Sequence, residues 1–222
     1  MKDHTALHID AINAGFGEKK ILRGATLVAE KGQITAIQGR NGSGKSTLLR
    51  CIAGIIPVQS GRITQGKNDL SLLSPIQRSA IIGAVWTDRT RIAGLTVQQL
   101  LEMGAFNGAW VKTGMSLEEH IQHTLELFRL TPIAHQSSAE ISDGQLQLTM
   151  LARAIAQCAE FLLLDEPTTY LDYIAKEELM QILKDLAAHT GTGIILTSHD
   201  PALSQVYAHK TYELTEGILR EV

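Results

Sequence analysis

The stretch Gly39-Arg40-Asn41-Gly42-Ser43-Gly44-Lys45-Ser46-Thr47 constrains this chain more than any other. It follows the apolar run Ile34 to Ile37 and precedes a helix-like segment, Leu48 to Ile56, so it reads as strand, loop and helix start. Gly39, Gly42 and Gly44 permit a tight backbone turn whose N–H groups converge on phosphate oxygens, and the helix that starts there adds its positive dipole end. Lys45 supplies a mobile cation for the β- and γ-phosphates, the Ser46 hydroxyl can ligate Mg²⁺, and Thr47 sits just behind, inside the helix. A Gly/Ser surface turn is the simpler alternative, but a complete G-x-x-x-x-G-K-S match in strand–loop–helix order outweighs it. Gly39, Asn41, Gly42, Ser43, Gly44, Lys45, Ser46 and Thr47 are therefore the residues expected at a nucleotide.

The 222 residues suffice for one large domain, or one domain carrying an inserted lobe. A formal charge of -3 gives no global basic field, so composition offers no support for nonspecific nucleic-acid binding. Cys51 and Cys158 lie far apart, without metal-ligand spacing, and read as two buried reduced thiols of a cytosolic protein. Met1 to Thr5 has no apolar segment behind it, so no signal peptide is expected. No window approaches ~18 apolar residues, so any membrane role must come from docking on a partner.

Leu7 to Ala11 reads as a strand, Phe16 to Lys20 as a turn, and Ile21 to Ala29 as a second strand, with Lys31-Gly32 as the hairpin before the phosphate-loop strand. Phe16 could stack on an adenine ring, although spacing alone favours a core phenylalanine. Arg62 to Thr64 is a short strand, Ser74 to Arg78 opens a helix with Pro75 in its first turn, and Ile81 to Trp86 is a core strand. From Thr87 to Ala159 helical spacing takes over. Thr96-Val97-Gln98-Gln99 and Ser116-Leu117-Glu118-Glu119 are capping boxes. In the second helix Leu117, Ile121, Leu125 and Phe128 form the apolar face and Thr131-Pro132 the stop, while Asn107 to Gly114 reads as a loop. A further helix begins at Ile141 to Gln145, with Ser142 as N-cap, a start that doubles as an anion site.

Phe161 to Leu164 is an apolar run ending in Asp165-Glu166, as expected of a buried parallel strand whose carboxyl end meets a ligand crevice. Successive strand side chains point opposite ways, so the two carboxylates should differ in role: one holds Mg²⁺ through water, the other orients and deprotonates an attacking water. Ile174 to Ala188 is a helix, and Gly193 to Ser198 a second buried strand that carries His199 to its tip, within reach of a γ-phosphate. Asp200-Pro201 caps the next helix, and Tyr212 to Leu219 closes the chain as a hairpin.

In order and spacing, the phosphate loop, Ile141 to Gln145, Phe161 to Glu166, Leu171-Asp172 and Ser198-His199-Asp200 resemble the ATP-binding cassette (ABC) ATPases over essentially the whole chain. The resemblance implies an α/β P-loop NTPase core with an antiparallel β subdomain and an inserted mainly helical subdomain. Residues 1–86 and 160–222 would form the core and 87–159 the helical part of a single ABC ATPase domain. It further implies ATP and Mg²⁺ as ligands and a head-to-tail dimer, in which Ser142, Gly144 and Gln145 of one copy meet the ATP on the other copy's phosphate loop. By the same resemblance Glu166 is the catalytic base, His199 the switch histidine and Lys45 the phosphate lysine. Ser46 and Asp165 serve Mg²⁺, Asp172 lies in the loop crossing the dimer interface, and Phe16 takes the place of the adenine-stacking aromatic. Two positions depart from the pattern. Ile141 and Asp143 replace Leu and Gly of an L-S-G-G-Q signature, and Thr87 stands where the lid-loop glutamine is expected as a metal ligand, with Asp88 beside it.

Within the family, Thr168 to Asp172 and Met103 to Phe106 are similar to importer ATPases for iron–siderophore, haem and cobalamin. That implies polytopic permease partners docking around Thr87 to Asn107, a substrate-binding protein reached through the permease, and a place on the cytoplasmic face of the plasma membrane. The competing classes are a soluble ABC ATPase acting on DNA or ribosomes and a nucleotide-gated binding protein that hydrolyses weakly. Chromosome-type members insert long coiled coils where this chain has about fifty residues without heptads.

Overall fold

The computed structural model describes residues 6–17, 19–87, 92 and 94–222. Two sheets organise them. The strands β1 (Ala6–Phe16), β2 (Lys19–Glu30), β4 (Ser60–Gln65) and β5 (Asn68–Asp69) form an antiparallel sheet in the order β2-β1-β4-β5. A second sheet runs β10-β9-β3-β8-β7-β6, from β3 (Ile34–Gln38), β6 (Ile82–Val85), β7 (Phe161–Leu164), β8 (Gly193–Ser198), β9 (Lys210–Thr215) and β10 (Ile218–Glu221). In this sheet β9, β3, β8, β7 and β6 are parallel, and β10 alone runs antiparallel to its neighbour.

The parallel sheet is covered on both faces, which is why its strands read as continuous apolar runs. Ile34, Ala36, Leu162, Leu164, Ile194 and Leu196 point into one cluster with α3 (Val97–Gly104), α4 (Leu117–Leu127), α5 (Asp143–Ala156), α6 (Tyr173–Thr190) and α7 (Pro201–Tyr207). Alternate residues Ile37, Phe161, Leu163 and Ile195 point into the other, with α1 (Lys45–Ala53), α2 (Pro75–Ile81) and the antiparallel sheet. The two-residue strand period thus divides one sheet between two cores.

Capping follows the sequence closely. Ser74, Thr96, Ser116 and Ser142 each accept from the backbone N–H three residues on, and the glutamine or glutamate there reaches back, a full capping box in every case.

Several expectations are corrected. Lys31-Gly32 is not a hairpin: β2 pairs with β1, and β3 pairs with β8 and β9, so the turn carries the chain from one sheet to the other. The cause is burial, since all but the last residue of β3 is enclosed and needs a neighbour on each side. Helix α4 does not wait for Thr131-Pro132. Arg129 adopts φ of 54° and the Leu130 N–H bonds the Leu125 carbonyl at 2.8 Å, a Schellman closure with arginine in the glycine position, while Thr131–Ile133 is a separate 3-10 turn. Leu117, at the exposed start of α4, stays out of the core. The segment expected as a loop from Asn107 to Gly114 is wound into 3-10 turns, chiefly Ala109–Thr113. Phe16 ends β1 rather than entering a turn. Cys51 is buried as expected, whereas Cys158 is only partly so.

Glu160, just before β7, binds the Lys31 ammonium at 2.5 Å and accepts from the Gln65 amide at 2.5 Å, tying the two sheets together. Burial alone would raise its pKa, but the bonds from Lys31 and Gln65 and the charges of Lys31 and Lys112 win and hold it below the ordinary 4.5. A depressed folded value means stability that is complete above the unfolded pKa and is lost as pH falls through the folded one. Urea unfolding should therefore show wild type more stable than Glu160→Gln at neutral pH, with the difference shrinking below about pH 4.5. A constant difference across that range would remove Glu160 from the acid response.

Candidate functional site

The carboxyl ends of β3, β7 and β8 meet at one crevice, where the expected residues of three motifs converge. A cleft of about 560 Å³ opens there, lined in part by Gly39, Asn41, His199 and Glu213. Leaving β3, the chain turns at Gly39, whose φ is 151°; a Cβ there would stand 2.5 Å from the Leu214 carbonyl oxygen and 2.8 Å from Ser43 Oγ. Gly44 caps α1 in the left-handed region with no side-chain bond to the helix start, and a Cβ on it would meet Ile21 at 2.8 Å. Only glycine fits either position. The cap leaves the first N–H groups of α1 without a side-chain acceptor, and Ser43 Oγ is buried without a hydrogen-bond partner among the described residues. Unpaired donors at a helix start, a buried hydroxyl and a glycine cradle fit a phosphate group.

Lys45, 6% exposed, bends over the loop so that its ammonium donates to the Gly39 carbonyl at 2.9 Å and lies 3.6 Å from Glu166 Oε1. The Ser46 hydroxyl donates to Asp165 Oδ1 at 3.0 Å. Asp165 is 2% exposed, and the Thr197 hydroxyl donates to the same oxygen at 2.8 Å. Two hard oxygens, one anionic, side by side next to a phosphate cradle suit a small divalent cation. Thr87 is adjacent: its hydroxyl donates to the Asp165 carbonyl at 3.0 Å, so its proton is committed to the main chain and only its lone pairs face elsewhere. Asp88 lies outside the described residues.

Glu166 turns away from Asp165, as the strand period requires. It holds φ of 48°, strained for a residue with a side chain, and its N–H is fixed by Thr197 Oγ1 at 2.9 Å. Its Oε2 lies 3.0 Å from His199 Nδ1 and 3.5 Å from the Thr169 hydroxyl. The Glu166 carboxylate therefore lies between an ammonium and an imidazole, the latter on the wall of the cleft.

Other expected residues stand apart from this group. Ser142 and Gln145 spend their side chains on the capping box of α5, with Gln145 N–H to Ser142 Oγ at 3.2 Å and Ser142 N–H to Gln145 Oε1 at 2.9 Å. Among the described residues no hydrogen bond or ion pair joins Ser142, Gly144 or Gln145 to the phosphate loop of the same chain. A Cβ on Gly144 would instead lie 3.8 Å from the Leu171 side chain and the Tyr170 carbonyl oxygen. Asp172 is exposed and caps α6 by accepting from Ala175 N–H at 2.8 Å. Phe16 is 59% exposed, which removes the core reading that spacing alone favoured.

Sequence reasoning missed two side chains. Thr197 bridges both carboxylate residues, and its signal was a hydroxyl inside an otherwise apolar strand, two residues before His199. Gln147 is buried and its amide donates to the Pro167 carbonyl at 3.0 Å, tying α5 to the turn after Glu166. A polar residue on the inward face of α5 was its signature.

Residues 22–169 match the family model described as ABC transporter. The chain is 30% identical over 207 residues to a probable siderophore transport system ATP-binding protein, YusV, of Bacillus subtilis, covering 92% of this chain and 75% of that protein. It is 31% identical over 211 residues to the thiamine import ATP-binding protein ThiQ of Cereibacter sphaeroides, covering 95% and 89%. An uncharacterized ABC transporter ATP-binding protein of Bacillus subtilis, YvrA, is 27% identical over 89% of this chain, which spans 46% of that longer protein. Among solved structures, the dimeric post-hydrolysis state of the ATP-binding cassette MJ0796 bound to ADP and Pi superposes with a TM-score of 0.86 at 26% identity, covering 97% of each chain.

Thr197→Val keeps the shape of the side chain and removes its hydroxyl. The part-buried Glu166 N–H and the buried Asp165 carboxylate then each lose a partner, which should cost about 1–3 kcal/mol of stability. Chemical denaturation at neutral pH checks this, and a change below the low end of that range would show that the bridge is not what holds Glu166.

Proposed function

The chain belongs to the ABC transporter family, and from that premise we propose that it is the ATP-hydrolysing motor subunit of a transporter. The observation that carries the mechanism is the meeting of Lys45, Glu166 and His199 beside the Ser46–Asp165 pair. ATP is the substrate, its β- and γ-phosphates in the Gly39 to Thr47 cradle, with Lys45 swung from the Gly39 carbonyl onto their oxygens. Mg²⁺, held by Ser46 and by Asp165 through water, would neutralise charge on those phosphates. Glu166 accepts the proton of the attacking water as its oxygen bonds to the γ-phosphorus, while the bond to the bridging oxygen breaks and leaves ADP and phosphate. His199, bonded to Glu166 Oε2, orients that carboxylate and faces the γ-phosphate. Phe16, exposed at the end of β1, offers its ring to the adenine.

A second copy of the chain completes the site. Ser142, Gly144 and Gln145 present a capped helix start with no hydrogen bond or ion pair to its own phosphate loop among the described residues, and the MJ0796 cassette is a dimer. Asp143 places a carboxylate beside that helix start and Thr87 lacks the reach of a glutamine, so slow turnover is expected.

No helix among the described residues is long and apolar enough to cross a membrane. The subunit would lie on the cytoplasmic face of the plasma membrane, docked on permease helices at the groove near Phe106, which is 93% exposed, and Met103. A relative named for thiamine import supports import, and another is named for siderophore transport. Within import we favour iron–siderophore, haem or cobalamin-like cargo, delivered through a substrate-binding protein, on the likeness of Thr168 to Asp172 and Met103 to Phe106 to those importers.

Glu166→Gln should lower steady-state ATPase activity by about 10²–10⁴-fold while prolonging an ATP-bound dimer in size-exclusion chromatography. Equal rates in both proteins would instead favour a nucleotide gate that scarcely hydrolyses. Lys45→Ala should weaken ATP binding by about 10–100-fold, the worth of a charged hydrogen bond. Calorimetry showing unchanged affinity would refute the phosphate role of Lys45.

A further inference from the structure

A cavity of about 620 Å³ lies at the amino ends of β7 and β8, the edge of the parallel sheet remote from Glu166. Its walls also include the Ala109–Thr113 turns, α4 and the ends of α5 and α6. Several hundred Å³ is the volume of small-molecule sites. Ile155, Leu162 and Leu186 make an apolar floor. Lys31, Lys112 and His189 stand at the rim.

The charges there do not balance. Glu160, itself on the wall, pairs with Lys31 at 2.5 Å and also feels the charge of Lys112, which has no ion-pair partner among the described residues, so two ammonium groups face one carboxylate. One wall is held by a strained residue: Cys158 adopts φ of 52°, with Sγ 3.6 Å from His120 Nε2. That histidine is buried, bonded to the Ala156 carbonyl at 3.0 Å and stacked on Trp110. At the mouth, Gly191 has open space where a Cβ would stand.

We propose that this cavity is a ligand site, separate from the nucleotide, for an amphiphilic organic anion whose apolar body lies on Ile155, Leu162 and Leu186 and whose carboxylate, sulfonate or phosphate meets Lys112. An apolar floor supplies affinity, and the excess of two lysines over one carboxylate at the rim selects sign and orientation. Such a ligand touches both α4 and α6 and resists their separation, so occupancy raises the melting temperature by mass action.

Anilinonaphthalene sulfonate is a suitable probe, with fluorescence titration of the intact protein in the presence of saturating ATP. One dye should bind per chain. Lys112→Glu should weaken it by about tenfold or more, the effect of exchanging an attractive charge for a repulsive one. Lys112→Arg should retain binding, and Met115→Trp, which fills the mouth, should abolish it. Cys158 provides a readout independent of fluorescence. Burial pushes both thiols up, Cys51 to about 11 and Cys158 against the lowering charge of Lys112, and Cys51 is buried whereas Cys158 is only partly so, so alkaline iodoacetamide should modify Cys158 first and bound dye should slow that reaction severalfold. Dye displaced by ATP, or equal affinity in Lys112→Glu together with unslowed alkylation of Cys158, would overturn the proposal.

Discussion

Burial of the parallel sheet on both faces is the constraint from which the rest of this molecule follows. Phe161, Leu163 and Ile195 serve one core and Leu162, Leu164, Ile194 and Leu196 the other, so none of these strand positions is free for chemistry. Polar function is driven to the strand tips, where the sheet stops and side chains first meet solvent. Asp165 and Glu166 at the tip of β7, His199 after β8 and the glycine turn after β3 are neighbours because their strands are. The geometry of the candidate site is thus a by-product of how two hydrophobic clusters share one sheet.

At that tip one hydroxyl decides the arrangement. Thr197 donates to Asp165 and accepts from the Glu166 N–H, so a single side chain fixes an enclosed carboxylate and the backbone of the next residue in a left-handed turn. Strain of this kind, of order 1–3 kcal/mol, persists where the surroundings over-determine it. Here they consist of Thr197, the Asp165 N–H bond to Val85 and the Gln147 amide on Pro167. The outcome is that Asp165 points at Ser46 and Glu166 at Lys45 and His199, two carboxylates in succession with different neighbours.

Much of this was legible in the sequence because it depended on local rules. The glycine spacing of the phosphate loop, the capping boxes at Thr96, Ser116 and Ser142, and the apolar run ending at Asp165 each state their structure within ten residues. What the sequence concealed was decided by distant partners. Lys31-Gly32 looks like any hairpin turn, and only the need of β3 for two buried neighbours makes it a passage between sheets. The stop of α4 hid in Arg129, a residue with no preference for the left-handed conformation it adopts. Phe16 could be assigned to core or surface only by knowing what packs on the end of β1. Thr197 and Gln147 carried a readable sign, polarity in an apolar context, but their partners lie 32 and 20 residues away.

The Gln147 amide has a mechanical consequence. It joins α5, whose first turn bears the anion-type helix start, to the Pro167 carbonyl, one peptide from Glu166. The exposed end of that helix is thereby tied, through one buried hydrogen bond, to the turn that follows Glu166. A single rigid element of fourteen residues thus joins the outward-facing Ser142 to the loop that carries Glu166.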